Sequence, residues 1–466
     1  MYVRFRPFCV VALILIGTLV LAGCGVTRSG TAPPARPLGD TLPAYDANPD
    51  EARRLTDSLR PPPGWREAPS DTLTLRESLA LALANNSRLQ SFSWEVRARE
   101  AQALQAGRWP NPTVVGETEN LPTSDPVGAF PNAEQMVQLS QPIELWGRPG
   151  TRRAVAEAEA QLAGWDYEAA RLDVVTQTTR AFVGVMAARE RVRLAEELVS
   201  LSEEVYQTVS RQVETGKVSP VERTRARVPL SQARMRLTRA RQSLKAARTT
   251  LAGQWGRADS TAFATVQGAF GPVEPVPSLD AAKAALEQNP ALARQADEIK
   301  RARATLSLEK RDRFPVPSLT AGWQRFGERT GSDRTALKAG VALPLPLFDR
   351  NRGAVQRARA RLQKAQRQRA AARVRLDTTL HRAYRSLVSA HDEARTLTEE
   401  TLSAARSAFE SVRQGYRQGT FGYLEVLDAQ RTLFDVRRQQ VQALSAYYRS
   451  RARVERLIAA PLESIQ

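Results

Sequence analysis

Two cysteines, two histidines and four methionines are all the sulfur and imidazole that 466 residues carry. Two thiols cannot build a disulfide framework, and His381 and His391, ten residues apart, have no ligand cluster around them to hold a metal. Lysine is almost as scarce, with seven against 61 arginines. Aromatic residues make up only 6%, and the apolar 42% is mostly Ala, Leu and Val, which suits thin, coiled-coil-like cores. There is no phosphate loop, no nucleophile elbow, no metal-ligand spacing and no carboxylate–histidine pairing. No catalytic arrangement emerges, and no cofactor is called for.

What is present is charge, and it is unbalanced. The formal charge of +19 raises nucleic acid or an anionic membrane surface as partners. The arginines are spread along helical stretches rather than clustered with aromatics, which favours solvated helix faces. The first 23 residues also argue against nucleic acid. Arg4 and Arg6 precede an apolar run from Phe8 to Ile16, and small residues follow it, which is the form of an export signal. Leu21-Ala22-Gly23-Cys24 is similar to the bacterial lipobox, in which the cysteine thiol is acylated and becomes the mature N-terminus. An ordinary signal peptide with an incidental cysteine is the other reading. Gly25 in place of aspartate is what outer-membrane lipoproteins generally show. Residues 24–70, rich in Pro, Gly, Ser and Asp, read as a tether without a core of its own.

From residue 71 onward the chain is doubled. Val213 to Arg227 and Tyr416 to Gln430 are two glycine-punctuated reversals between long Ala- and Arg-rich runs, 203 residues apart. Gly216 answers Gly419, Pro220 answers Tyr423, and Glu222 answers Glu425. Arg108–Pro112 matches Arg313–Pro317, Pro142–Trp146 matches Pro344–Phe348, and Asn86 and Leu89 match Asn289 and Leu292, at offsets of 202 to 205. Two copies of one elongated unit are expected, 71–255 and 278–460, with 256–277 as linker. Each copy begins with a helix; the first is opened by a Thr74–Glu77 capping box and broken near Asn85-Asn86.

A β-hairpin follows in each copy: Asn111 to Glu119 with Glu134 to Ile143, and Ser318 to Phe326 with Thr335 to Leu345. In the last strand Leu337, Ala339, Val341 and Leu343 share one face, while Lys338, Gly340 and Ala342 share the other. Strands of this length, apolar on one side, either cross a bilayer as part of a barrel or form a soluble ribbon. After each hairpin an uninterrupted helical pattern runs from Thr151 to Glu214 and from Gly353 to Arg417, each roughly 100 Å long. Shorter helices, Val221 to Trp255 and Tyr423 to Ala459, follow the two reversals. The helix before the first hairpin and the helix after the first reversal, stacked end to end, equal one long rod. Four strands cannot close a barrel, and open edges are not tolerated in lipid. Three chains would supply twelve strands, the first multiple with room for a conduit.

The plan resembles the outer-membrane efflux proteins of the TolC type over roughly residues 70–460. Tyr416-x-x-Gly419 followed by Leu424-Glu425-Val426-Leu427-Asp428-Ala429-Gln430 is similar to that family's second-repeat tip. Gln141-Pro142-Ile143-Glu144-Leu145-Trp146-Gly147-Arg148, with Arg152-Arg153, resembles the strand-to-helix junction of the CzcC/CusC heavy-metal efflux branch. The resemblance implies a mainly α fold with a small β part. Long antiparallel helices would form a trimeric α-barrel continuous with a twelve-stranded β-barrel, four strands per chain. It also implies an outer-membrane duct, a periplasmic adaptor, an inner-membrane pump often of the resistance–nodulation–division class, and export of heavy metals or drugs.

By the same resemblance Glu425 and Asp428 would face the axis and narrow the periplasmic entrance, and Tyr416 would help hold it shut. The family's basic residue before the acidic pair is replaced by Phe421. Arg225 stands at the first-repeat position equivalent to Asp428, so an Asp428–Arg225 pair is expected within or between chains. Gly216, Ser219, Pro220, Gly419, Thr420, Phe421 and Gly422 would form bare tips for the adaptor, although turn chemistry alone also accounts for them. A type I secretion exit duct and a lipid-anchored periplasmic coiled-coil protein remain as alternatives.

Overall fold

A computed structural model describes residues 72–119, 133–259, 261–326 and 334–465. The export signal, Cys24, the tether and both hairpin loops lie outside the described residues. The first repeat contains β1 (Thr72–Leu73), α1 (Leu75–Asn85), α2 (Ser87–Ala106), β2 (Thr113–Glu119), β3 (Glu134–Pro142), α3 (Arg148–Glu214) and α4 (Pro220–Ala252). After β4 (Thr265–Val266) the second repeat runs through α5 (Leu279–Leu286), α6 (Pro290–Arg311), β5 (Ser318–Phe326) and β6 (Arg334–Ala342). It ends with α7 (Arg352–Thr396), α8 (Leu402–Arg417) and α9 (Tyr423–Ile458).

The expected break near Asn85-Asn86 is explained by one side chain working twice. Asn86 caps α2 by accepting from Leu89 N, and its Nδ2 donates to Gln254 O just past the end of α4 (2.8 Å). Asn289 repeats this, accepting from Ala291 N and donating to Leu457 O at the end of α9 (2.7 Å). Each asparagine therefore welds the first helices of its repeat to the last, so α4–α2 and α9–α6 are composite rods. α3, at 67 residues, is continuous and about 100 Å long. It packs against α2 and α4 on one side and against α6 and α9 on the other, and α7 and α8 then cover the second composite rod. The result is a slab four rods wide, with α4–α2 at one margin and α7–α8 at the other. Trp94, Leu104 and Met235 stand exposed at the first margin.

The two hairpins make one antiparallel sheet in the order β2-β3-β5-β6. Its free edges are β2, which follows marginal α2, and β6, which leads into marginal α7. Sheet and slab are thus open on the same two sides. Three expectations about extent are corrected. β2 starts at Thr113, because Pro110 and Pro112 cannot supply ladder donors. β6 ends at Ala342, ahead of Pro344. The second long helix is not uninterrupted, since a π-turn at Leu397–Thr401 separates α7 from α8.

Candidate periplasmic entrance and membrane sheet

Both reversals are built from the same backbone bonds. At the first, Gly216 N donates to Val213 O and Lys217 N to Gln212 O. At the second, Gly419 N donates to Tyr416 O and Thr420 N to Gly415 O. This is a Schellman closure in each case, and it requires the left-handed residue that only glycine adopts freely; φ is +69° at Gly216 and +80° at Gly419. Ser219 then caps α4 with Pro220 in its first turn, while Gly422 caps α9 without a side-chain bond. Ser219, Pro220, Thr420, Phe421 and Gly422 are all exposed.

Tyr416 links the two tips, its hydroxyl lying 3.4 Å from Gln212 Oε1. Glu425 and Asp428 are exposed and three residues apart on α9, with Val426 buried between them. Their common face follows from helical spacing. Within the chain the expected Asp428–Arg225 pair does not form. Arg225 bonds Glu222, one turn back on its own helix, at 2.7 Å. An i, i+3 partner lies within reach without ordering a second helix, which is why it wins inside one chain. Phe421 folds back over Gly415, and a Cβ at 415 would run into the ring. Gln212 belongs to the tip although the sequence did not single it out. The legible signal was position: its carbonyl, like that of Gly415, accepts in the closures that the glycines announce.

Where the sheet meets the slab, the Glu144–Arg148 stretch becomes a clamp. Arg152 pairs with Glu144 through both guanidinium nitrogens and also donates to Ala106 O and Arg108 O, tying α2, β3 and α3 together. Arg311 donates to Trp146 O at 2.7 Å, and Arg148 meets Asp312 at 2.7 Å, joining the second repeat to the same point. Trp146 stacks on Phe314 with centroids 5.1 Å apart, and both remain about half exposed.

The sheet register separates its central side chains by face, with Gln135, Gln141 and Arg325 at the ends of the apolar side. Val114, Leu139, Ala321 and Ala339 form one lateral row, and Gly116, Val137, Trp323 and Leu337 form the next. Leu319 and Val341 extend the same face. The opposite face carries Ser140, Gln138, Thr320, Gln324 and Lys338, with Val115 and Met136 among them. The apolar face is the exposed one: Val137 is 52% accessible, Leu139 46% and Leu337 90%, while Gln138 and Gln324 are half-buried. A sheet in water places its apolar face inward; this one does the reverse, as strands facing hydrocarbon do. Among the described residues no helix is long and apolar enough to cross a membrane, and no group of three or more potential ligands could hold a metal ion.

The family model described as outer membrane efflux protein matches residues 79–257 and 281–460. The chain is 33% identical over 422 residues to the cobalt-zinc-cadmium resistance protein CzcC of Cupriavidus metallidurans, covering 91% of this chain and 98% of that protein. It is 27% identical to the nickel-cobalt-cadmium resistance protein NccC of Alcaligenes xylosoxydans xylosoxydans, covering 69% and 70%. A crystal structure of CusC superposes with a TM-score of 0.69 at 19% identity, over 86% of this chain and 96% of that one.

Proposed function

The chain belongs to the outer membrane efflux protein family, and from that premise we propose that it is the duct of a tripartite exporter, closed by three copies. The observation that carries this reading is the pairing of open edges: sheet and helical slab end on the same two sides. Edges of a sheet in lipid must be satisfied, because no water is there to bond them. Two copies would bring eight strands, whose interior side chains fill; three bring twelve and leave a conduit. The polar sheet face would line that conduit, and the apolar face would meet lipid.

The repeats, 71–255 and 278–460, contribute equivalent rods to the wall, and acylation of Cys24 anchors the N-terminus in the outer membrane. At the far end, Glu425 and Asp428 form rings of three carboxylates that favour cations at a constriction. Tyr416, and Arg225 reaching Asp428 of a neighbouring copy, help hold that entrance shut. The adaptor packs on the bare tips around Gly216, Ser219, Pro220, Gly419, Thr420, Phe421 and Gly422. The pump behind it is of the resistance–nodulation–division class, and the cargo is divalent heavy-metal cations. The names of the metal-resistance relatives support that cargo.

The test is purified full-length protein in planar bilayers, with mass measured in the same detergent. A conducting trimer supports the reading, and a monomer whose sheet lies in water ends it. Loss of resistance to cobalt, zinc or cadmium in a strain lacking the gene tests the cargo separately.

A further inference from the structure

Most arginines between α3 and the second composite rod have carboxylate partners. Arg294 meets Asp166 at 2.6 Å, Arg456 meets Asp173 at 2.5 Å, and Arg437 meets Glu197 at 2.6 Å. Midway along the same seam the pattern fails. Arg449 of α9 lies across α3 with Nη2 3.4 Å from where a Cβ on Gly184 would stand. Arg180 and Arg191, four residues before and seven after Gly184, share its face of α3 by helical spacing. Among the described residues no ion pair or hydrogen bond is formed by Arg180, Arg191 or Arg449. Arg449 is exposed, yet partial desolvation, and then the like charges of Arg180 and Arg191, hold its guanidinium below the ordinary arginine range.

The direction of this cluster follows from what covers the other side. Phe182 and Val185 of α3 pack under Trp255, Phe263 and Val266, and Arg189 donates to Val266 O and Gly268 O. On α9, Tyr447 OH donates to Glu274 O, and Arg451 pairs with Glu274 at 2.7 Å. The β1/β4 pair and the linker therefore lie on one side of the slab. At about 100° per residue, Gly184, Arg191 and Arg449 point the opposite way. If the slab closes into a duct, as proposed above, the bulky side is the outside and the arginine face is the inside.

We propose that Arg180, Arg191 and Arg449 form an anion-binding station on the inner wall, repeated by the threefold symmetry and suited to a tetrahedral oxyanion. Guanidinium groups present forked donors to such an anion, and Gly184 leaves the space in which Arg449 lies. Three uncompensated charges along about 16 Å of one helix face otherwise repel one another and any cation moving along the wall. A bound oxyanion offsets part of both repulsions, so metal cations would pass this stretch beside an anion rather than bare.

The experiment uses full-length trimers in planar bilayers under a potassium chloride gradient, with inorganic phosphate as the probe. The Glu425 and Asp428 rings act equally in every variant, so the reading is the chloride preference relative to wild type, whose current millimolar phosphate should reduce. Arg180→Gln combined with Arg449→Gln should lower the chloride preference by a factor on the order of ten and abolish the phosphate effect. Arg449→Lys should keep most of the chloride preference and weaken the phosphate effect. Arg180→Gln alone, at an exposed position, should lower both partway and serves if the double variant does not assemble. Conducting variants with unchanged reversal potential and phosphate response would overturn the inference while leaving the duct intact. Wild type that stays monomeric in the same detergent would instead overturn the duct.

Discussion

Replacing Leu139 by arginine tests which solvent the sheet meets, with Gln138→Arg as its neighbour and control. The two positions are adjacent on β3, so their substitutions share strand, register and added charge, and differ only in face. Leu139 lies within the apolar rows, with Val137 two residues before it on the same face of β3 and Ala321 opposite it on β5. An arginine on a lipid-facing strand position costs about 2–4 kcal/mol near the bilayer midplane. In the proposed trimer, threefold symmetry multiplies that to about 6–12 kcal/mol, comparable with the whole stability of a typical folded domain. Gln138→Arg adds its charge to the half-buried polar face beside Gly322 and Lys338, where water in the conduit can solvate it. The assay is the yield of heat-resistant trimers extracted from outer membranes. Leu139→Arg should remove most of them and Gln138→Arg should leave them near wild type. If the sheet stood in water, trading an exposed leucine for arginine would change stability by no more than about 0.5 kcal/mol. Equal yields from the two variants would therefore refute the membrane assignment.

Asn289→Ala should lower the thermal stability of the trimer by about 2–4 kcal/mol, because it removes an N-cap and strands the buried Leu457 carbonyl. Asn86→Ala, at a half-buried site, should cost less, and the order of the two melting temperatures checks this. Gly415→Ala should favour helix by about 1 kcal/mol yet expel the Phe421 ring, so hydrogen exchange at 416–422 should accelerate. Unchanged protection there would show that the ring does not hold the tip. Glu463 is held below the ordinary carboxylate range by its backbone hydrogen bond and by Arg451. A depressed carboxylate contributes stability that is present above its unfolded pKa and lost as pH falls through its folded value. Burial pulls Arg451 down, but Glu463 and Glu455 outweigh it, so it stays charged throughout. The 462–465 turn should therefore stay docked at neutral pH, begin to loosen only below the ordinary carboxylate value of 4.5, and become protease-sensitive as the pH falls through Glu463's lower folded value.

Much of the frame could be read because duplication writes each signal twice. Asn86 and Asn289 stood out as matched letters, and the structure shows one bond pattern behind both. Gly216 and Gly419 announced the reversals because a positive φ leaves few other residues. Trp146 and Arg148 were visible as part of a motif, but their contacts with Arg311, Phe314 and Asp312 were not. Those partners lie in the other repeat, and no local spacing reports a contact 164 to 168 residues away. The Arg225–Glu222 bond was legible in the same sense that the Asp428 pairing was not: one needs only helical spacing, the other the placement of a second rod.

The π-turn was the least visible feature, yet its cause lies in the sequence. Along α7 the side chains facing the second repeat's core are Leu380, Ala383, Leu387, Ala390, Ala394 and Leu397, alternating steps of three and four. Beyond the turn the stripe resumes at Leu402, Ala405, Phe409, Val412 and Tyr416 with the same alternation. Between Leu397 and Leu402 the step is five. A regular helix would carry that extra residue as a rotation of about 100°, turning Phe409 and Tyr416 away from α9. Looping out one residue as a π-turn keeps both segments of the stripe on the same partner. A sustained seven-residue repeat sets the pitch of a supercoil, and a single surplus residue must be absorbed either by that pitch or by the backbone. α9 fixes the choice, because its own stripe through Val426, Leu433 and Val436 faces the same core without a break. Length showed how tall the rod would be, but only the phase of its buried residues could show where its hydrogen-bond ladder gives way.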